Sequence, residues 1–120
     1  MAEVRRNERV ATEFRERAVR TKPGVKLFGL RPELVWALSV ADGVYRELNV
    51  DLVITSVMDG KHSVTSLHYA GAAADLRIRD MGQTKAETAR DMIEERLTDE
   101  FDVVLEKDHI HLEVQPRRVS

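Results

Sequence analysis

The sequence predicts one α+β domain: an antiparallel sheet with helices packed on one face and the other face left open. Three observations predict it. The chain has 120 residues, the length of one compact domain. Two segments repeat apolar residues at helical spacing, and several short segments alternate apolar and polar residues as strands do. Composition is ordinary for a folded chain, with 42% hydrophobic and 33% charged residues, which excludes a disordered or collagen-like chain.

Residues 3–20 read as a charged helix with a thin stripe of Val10, Phe14 and Ala18. Residues 1–22 form an N-terminal arm, either laid on the domain by Phe14 or free to bind a partner or a wall; residues 23–120 form the domain. Pro23-Gly24 marks a turn. Residues 31–48 give the clearest helix. Pro32 suits its first turn, Leu34, Leu38, Ala41, Tyr45 and Leu48 share a face, and Asn49 is a left-handed stop. Residues 51–56 read as a strand, 57–72 as a long functional loop and 73–79 as a second strand. Thr84 to Glu87 fits a capping box opening a helix with Ala86, Ala89, Ile93 and Leu97 on one side. Residues 101–106 and 109–115 read as strands joined by Lys107-Asp108, a hairpin by length though not by preferred turn residues.

Several function classes are excluded early. Cysteine is absent, which removes disulfides, thiolate nucleophiles and Cys-type zinc sites. A formal charge of −2 gives no global attraction to nucleic acid. No apolar run approaches the roughly 20 residues of a membrane span, so no transmembrane segment is expected. The charged amino terminus has no apolar signal core, so classical secretion is not expected. Oligomeric state is left open.

The four histidines fall in two short segments: His62 and His68, then His109 and His111. In residues 108–114, a strand puts Ile110, Leu112 and Val114 on one side and His109, His111 and Glu113 on the other. In residues 73–79, Leu76 and Ile78 take the buried side and Asp75 faces away. If the apolar faces share a core, Asp75 and His111 emerge together on the open face, with the His68 loop leading into the Asp75 strand. Gly71 permits a tight return there, and Ala72, Ala73 and Ala74 leave space around a site. Two imidazoles and one carboxylate are a recognised catalytic zinc set that leaves a position for water. Asp108 or Glu106 is then the carboxylate that accepts the water proton. The plainer reading is a sheet with exposed polar histidines and a capping or salt-bridged Asp75. A different metal at the same ligands is a further alternative.

Ser66-Leu67-His68-Tyr69-Ala70-Gly71-Ala72-Ala73-Ala74-Asp75 resembles the Ser-x-His-x6-Asp signature of the D-Ala-D-Ala carboxypeptidase and L-alanyl-D-glutamate peptidase family of zinc enzymes. Asp59 to Ser63 before it, and Asp108-His109-Ile110-His111 after it, are also similar to the signalling domain of hedgehog proteins, which shares that fold. The resemblance covers about residues 50–116, and is strongest to small single-domain members from bacteriophages and bacteria. It implies the hedgehog/DD-peptidase fold and Zn2+ at His68, Asp75 and His111. It implies a catalytic carboxylate three residues before the last ligand, which ranks Asp108 above Glu106. His62 and His109 match positions lining the site, where they could bind the scissile carbonyl or oxyanion; supporting the ligands or packing the strand is the alternative for each. Ser66 holds the loop or the Asp75 carboxylate rather than attacking. Many members carry Thr-Ser-Gly-x-Arg; the run here is Thr55-Ser56-Val57-Met58, without the Arg. The activity implied is hydrolysis of a bond in peptidoglycan stem peptides, by an enzyme of phage lysis or a virion that reaches the wall without its own signal peptide. The rival expectation is a zinc-stabilised binding or structural module without useful turnover.

Overall fold

A computed structural model describes residues 19–27, 29–58 and 72–115. Residues 3–18 of the helix expected over 3–20, the central part of the long loop, and with it His62, Ser66 and His68, lie outside the described residues.

The elements run β1 (Arg20–Thr21), α1 (Pro32–Glu47), β2 (Val53–Met58), β3 (Ala73–Arg77), α2 (Gln83–Arg96), β4 (Phe101–Leu105) and β5 (His109–Val114). They form an α+β fold with one five-stranded sheet in the order β1-β2-β3-β5-β4. All neighbours pair antiparallel except β1, which runs parallel to β2. The sheet is therefore mixed rather than wholly antiparallel. The parallel edge is made where the pattern of residues 3–20 predicts the end of a helix: Arg20 N–H donates to the Leu52 carbonyl, and Lys22 N–H to that of Ile54. β5 lies between β3 and β4, so its two faces are aligned by a partner on either side.

Helix α1 starts at Pro32, whose ring fixes φ and whose missing N–H would have no helical acceptor. It ends in a Schellman arrangement. Asn49 takes a φ of 61°, its N–H donates to the Arg46 carbonyl, and Val50 N–H donates to Tyr45. Helix α2 corrects the capping box. Gly82 occupies the N-cap with no side-chain cap, and Thr84 lies inside the first turn, its carbonyl accepting from the Thr88 hydroxyl at 3.0 Å. Arg96 of α2 forms an ion pair with Glu47 at the end of α1, and Lys85 Nζ reaches the Leu48 carbonyl at 3.2 Å. Both contacts place cations at the negative end of the α1 dipole.

The core lies between this helix pair and one face of the sheet. Leu34, Ala37, Ala41, Val44 and Tyr45 from α1 and Ala86, Ala89 and Ile93 from α2 pack on Ile54, Ala74, Leu76, Val103, Ile110 and Leu112. Tyr45 is fully buried, and its hydroxyl donates to the Arg77 carbonyl at 2.9 Å. Burial pushes its phenol well above the ordinary range. Ala72 and Ala74 belong to this core. Only Ala73, opposite Glu113, lies on the outer face, so two of the three alanines serve packing rather than space around a site. No helix among the described residues is long and apolar enough to cross a membrane.

Candidate metal centre

Strand alternation and the pairing of β3 with β5 build the site. Asp75 stands opposite His111, and Arg77 opposite His109. Leu76 and Ile110, also paired, point into the core. Asp75, His109 and His111 therefore emerge on the sheet face away from the helices, as the alternation predicts. A β-bulge between Ile54 and Ser56 brings the Thr55 hydroxyl to 3.4 Å from the Asp75 carbonyl. It ties β2 to the strand that carries the acid.

Each imidazole lies between two carboxylates. His111 Nδ1 is 2.8 Å from Asp75 Oδ1, and its Nε2 is 2.9 Å from Glu113 Oε1. His109 Nε2 is 3.5 Å from the same Asp75 oxygen, and its Nδ1 is 2.6 Å from Asp108 Oδ1. Asp75 is the shared centre, while Glu113 and Asp108 hold the far nitrogens. This is the arrangement by which outer carboxylates orient metal-binding histidines.

His111 stands between two carboxylates, so a neutral ring can donate to one of them and turns a lone pair on the other. A second ring proton, or a metal ion on one ring nitrogen, resolves that repulsion. Burial alone disfavours the charged ring. The hydrogen bonds and charges of Glu113 and Asp75 outweigh it and hold the His111 pKa above its ordinary value. A donor atom of each of Asp75, His109 and His111 lies within 4.8 Å of the others. Two donors on a tetrahedral ion with bonds of about 2.0–2.1 Å stand about 3.3 Å apart. The 3.5 Å separation meets this directly, and the 2.8 Å one requires a small opening. The residues fit a divalent ion.

Of the expected metal ligands, Asp75 and His111 are brought together, and His68 lies outside the described residues. His109, expected to line the site, is close enough to share the ion. Asp108 borders, with Asp75 and His109, a cleft on the outer face of the sheet. Its side chain is 85% exposed, and the His109 hydrogen bond holds its carboxyl below the ordinary range. Glu106 lies on the exposed hairpin end outside that lining, its N–H donating to the His109 carbonyl at 2.8 Å. Glu113 is a partner that the sequence reading does not single out. It is 2% exposed, and the signal was present: it continues the i, i+2 series of His109 and His111 on one face.

Fold and site thus define an α+β protein whose mixed sheet carries a potential metal-binding triad. Comparison with family models, curated proteins and solved structures finds no match.

Proposed function

We propose that the chain is a zinc peptidase that hydrolyses a bond in peptidoglycan stem peptides, acting at the bacterial wall in phage lysis or from a virion. The observation that carries this reading is Asp75 flanked by two imidazoles, each held on its far nitrogen by a carboxylate. The resemblance of the His68–Asp75 and Asp108–His111 segments, and the hedgehog/DD-peptidase fold it implies, supplies the substrate class.

Asp75 and His111 would hold the zinc, with a third donor from His68 or His109. When bound, zinc supplies Lewis acidity, lowering the pKa of water and polarising a carbonyl. Asp108, ionised at neutral pH, takes the proton of the attacking water and passes it to the leaving amine. An imidazole that does not bind the ion, His62 or His109, stands beside the developing oxyanion, where a ring N–H would stabilise it. Glu113 and Asp108 keep the two rings aimed at Asp75 before substrate arrives.

One observation favours the rival reading. Should His109 join His68, Asp75 and His111, the set closes at four protein ligands with no place for water, as in a structural zinc site. The chain would then be a zinc-stabilised binding module.

Digestion of purified peptidoglycan separates the two. The peptidase releases D-Ala or exposes new amino termini only with zinc present, and Asp108→Ala abolishes release while retaining zinc. A zinc-loaded chain that releases neither is the binding module.

A further inference from the structure

The two edges of the sheet differ. β1, at one edge, is two residues long and runs into the turn at Pro23-Gly24, a short edge that offers little to pair with. β4, at the other edge, is five residues long and pairs only with β5 among the described strands. It carries no proline, and no bulge interrupts its register. Ladder parity fixes which amides face that edge. Gln115 N–H donates to the Glu100 carbonyl, and Glu106 N–H to that of His109. Bonded pairs alternate in an antiparallel ladder, so the backbone groups of Asp102 and Val104 turn toward β5. Those of Val103 and Leu105 turn outward and meet no strand among the described residues. Phe101 N–H is satisfied locally, by the Thr98 carbonyl.

Side chains follow the same alternation. Phe101, Val103 and Leu105 lie on the core side, and Trp36, 47% exposed, stands over Phe101 with ring centroids 5.7 Å apart. Glu100, Asp102 and Glu106 fall on the outer face. Asp102 accepts from the Gln115 amide at 2.6 Å, and none of the three acids forms an ion pair among the described residues. These acids decide what the edge can pair with. Antiparallel two-fold pairing with a second copy, through the Val103 and Leu105 amides, always sets acid against acid. Centred on Val103, it sets Glu100 against the second copy's Glu106. Centred on Asp102, it sets that residue against itself, and centred on Val104 it sets Asp102 against Glu106. Like charges directly opposite each other destabilise a strand pair.

We propose that β4 accepts an added strand from a partner protein, an extended segment that alternates basic and apolar residues. Its amides and carbonyls pair with those of Val103 and Leu105. Its cations stand against Glu100, Asp102 and Glu106, and its apolar side chains continue the core side beside Phe101, Leu105 and Trp36. The added strand lies two strand spacings, about 10 Å, from the strand that carries His111. The docking edge is therefore separate from the metal centre and stands whether or not the chain is a peptidase.

The test compares a hexapeptide alternating lysine and valine, capped at both ends, with its glutamate–valine counterpart. Binding of each fluorescent peptide to the full chain is followed by anisotropy. The lysine peptide is expected to bind about ten-fold more tightly, the ratio shrinking as salt screens the acids. Asp102→Lys should lower the ratio about three-fold, and Asp102→Lys with Glu106→Lys should invert it. Glu87→Lys, the same charge change on the exposed side of α2, should keep the ratio within about two-fold of the wild type. N-methylation of the valine nitrogens, which face β4 in the added strand, should abolish binding. Amide exchange followed by NMR reads the pairing itself: Val103 and Leu105 gain protection with the lysine peptide, while Asp102 and Val104 are protected without it. Circular dichroism checks that each variant folds, and the exchange measurement needs only the wild type. Equal binding of the two peptides, or binding without new protection at Val103 and Leu105, overturns the proposal. So does protection of those amides by self-association of the peptide-free chain, read by sedimentation velocity, because the edge then belongs to a second copy.

Discussion

Replacing Glu113 by Gln removes a charge behind the candidate metal centre while keeping nearly the same shape. Glu113 lies 2.9 Å from His111 Nε2 and is 2% exposed, so water screens it little. Across the ring, its charge would stand about 7 Å from an ion on Nδ1. At an effective dielectric constant of about 20, a unit charge at that distance is worth about 2.4 kcal/mol against a site of net charge +1, or roughly 50-fold in affinity. This agrees with the 10–100-fold typical of lost outer carboxylates. Competition with a chromophoric chelator at fixed pH measures zinc affinity, and thermal melting of the metal-free variant checks that it still folds. Zinc affinity within about two-fold of the wild type, in a folded variant, would refute the argument that Glu113 acts through His111.

Other outcomes follow from the same geometry. In the metal-free protein, the raised His111 pKa favours folding fully below the ring's unfolded value, about 6.5. That contribution is lost as pH rises through the folded value; urea midpoints across this window measure it, and an unchanged or rising contribution would contradict the ion pairing. Zinc displaces the Nδ1 proton, so zinc affinity should rise with pH over the same window. Asp108→Ala should lower the hydrolysis rate at least about 10²-fold with zinc content unchanged; loss of zinc would show that its hold on His109 is what the site needs and would contradict the proton-transfer role. Tyr45→Phe removes the buried hydrogen bond to the Arg77 carbonyl and should cost about 1 kcal/mol by urea denaturation. Leu76→Ala, in the core beneath Asp75, should cost about 2–5 kcal/mol.

What was legible in the sequence was what period and local chemistry encode. Alternation alone put Asp75 and His111 on one face, because Leu76, Ile110 and Leu112 have one core to enter. Pro32 and Asn49 announced the ends of α1 through their own backbone preferences. The capping box misled because Gly82 begins α2 two residues before Thr84, and a pattern of four residues cannot reveal where the preceding chain lets a helix start. Strand β1 was hidden because Arg20 and Thr21 carry no strand signature; their pairing is dictated by the exposed edge of β2. Glu113 was placed on the correct face without being recognised as a partner of His111. Its burial depends on the packing of neighbouring strands, which no local pattern reports. The cationic lining of the outer face was invisible for the same reason, since Arg20 and Arg77 are far apart in the chain and line one cleft only through the strand order.

The most direct test of the central claim, that Asp75 and His111 grip one divalent ion, is elemental analysis of the purified chain beside Asp75→Asn and His111→Ala. The account predicts one zinc per wild-type chain and near-total loss in both variants. A wild-type chain that holds no divalent metal, even after incubation with zinc at micromolar concentration, would contradict it.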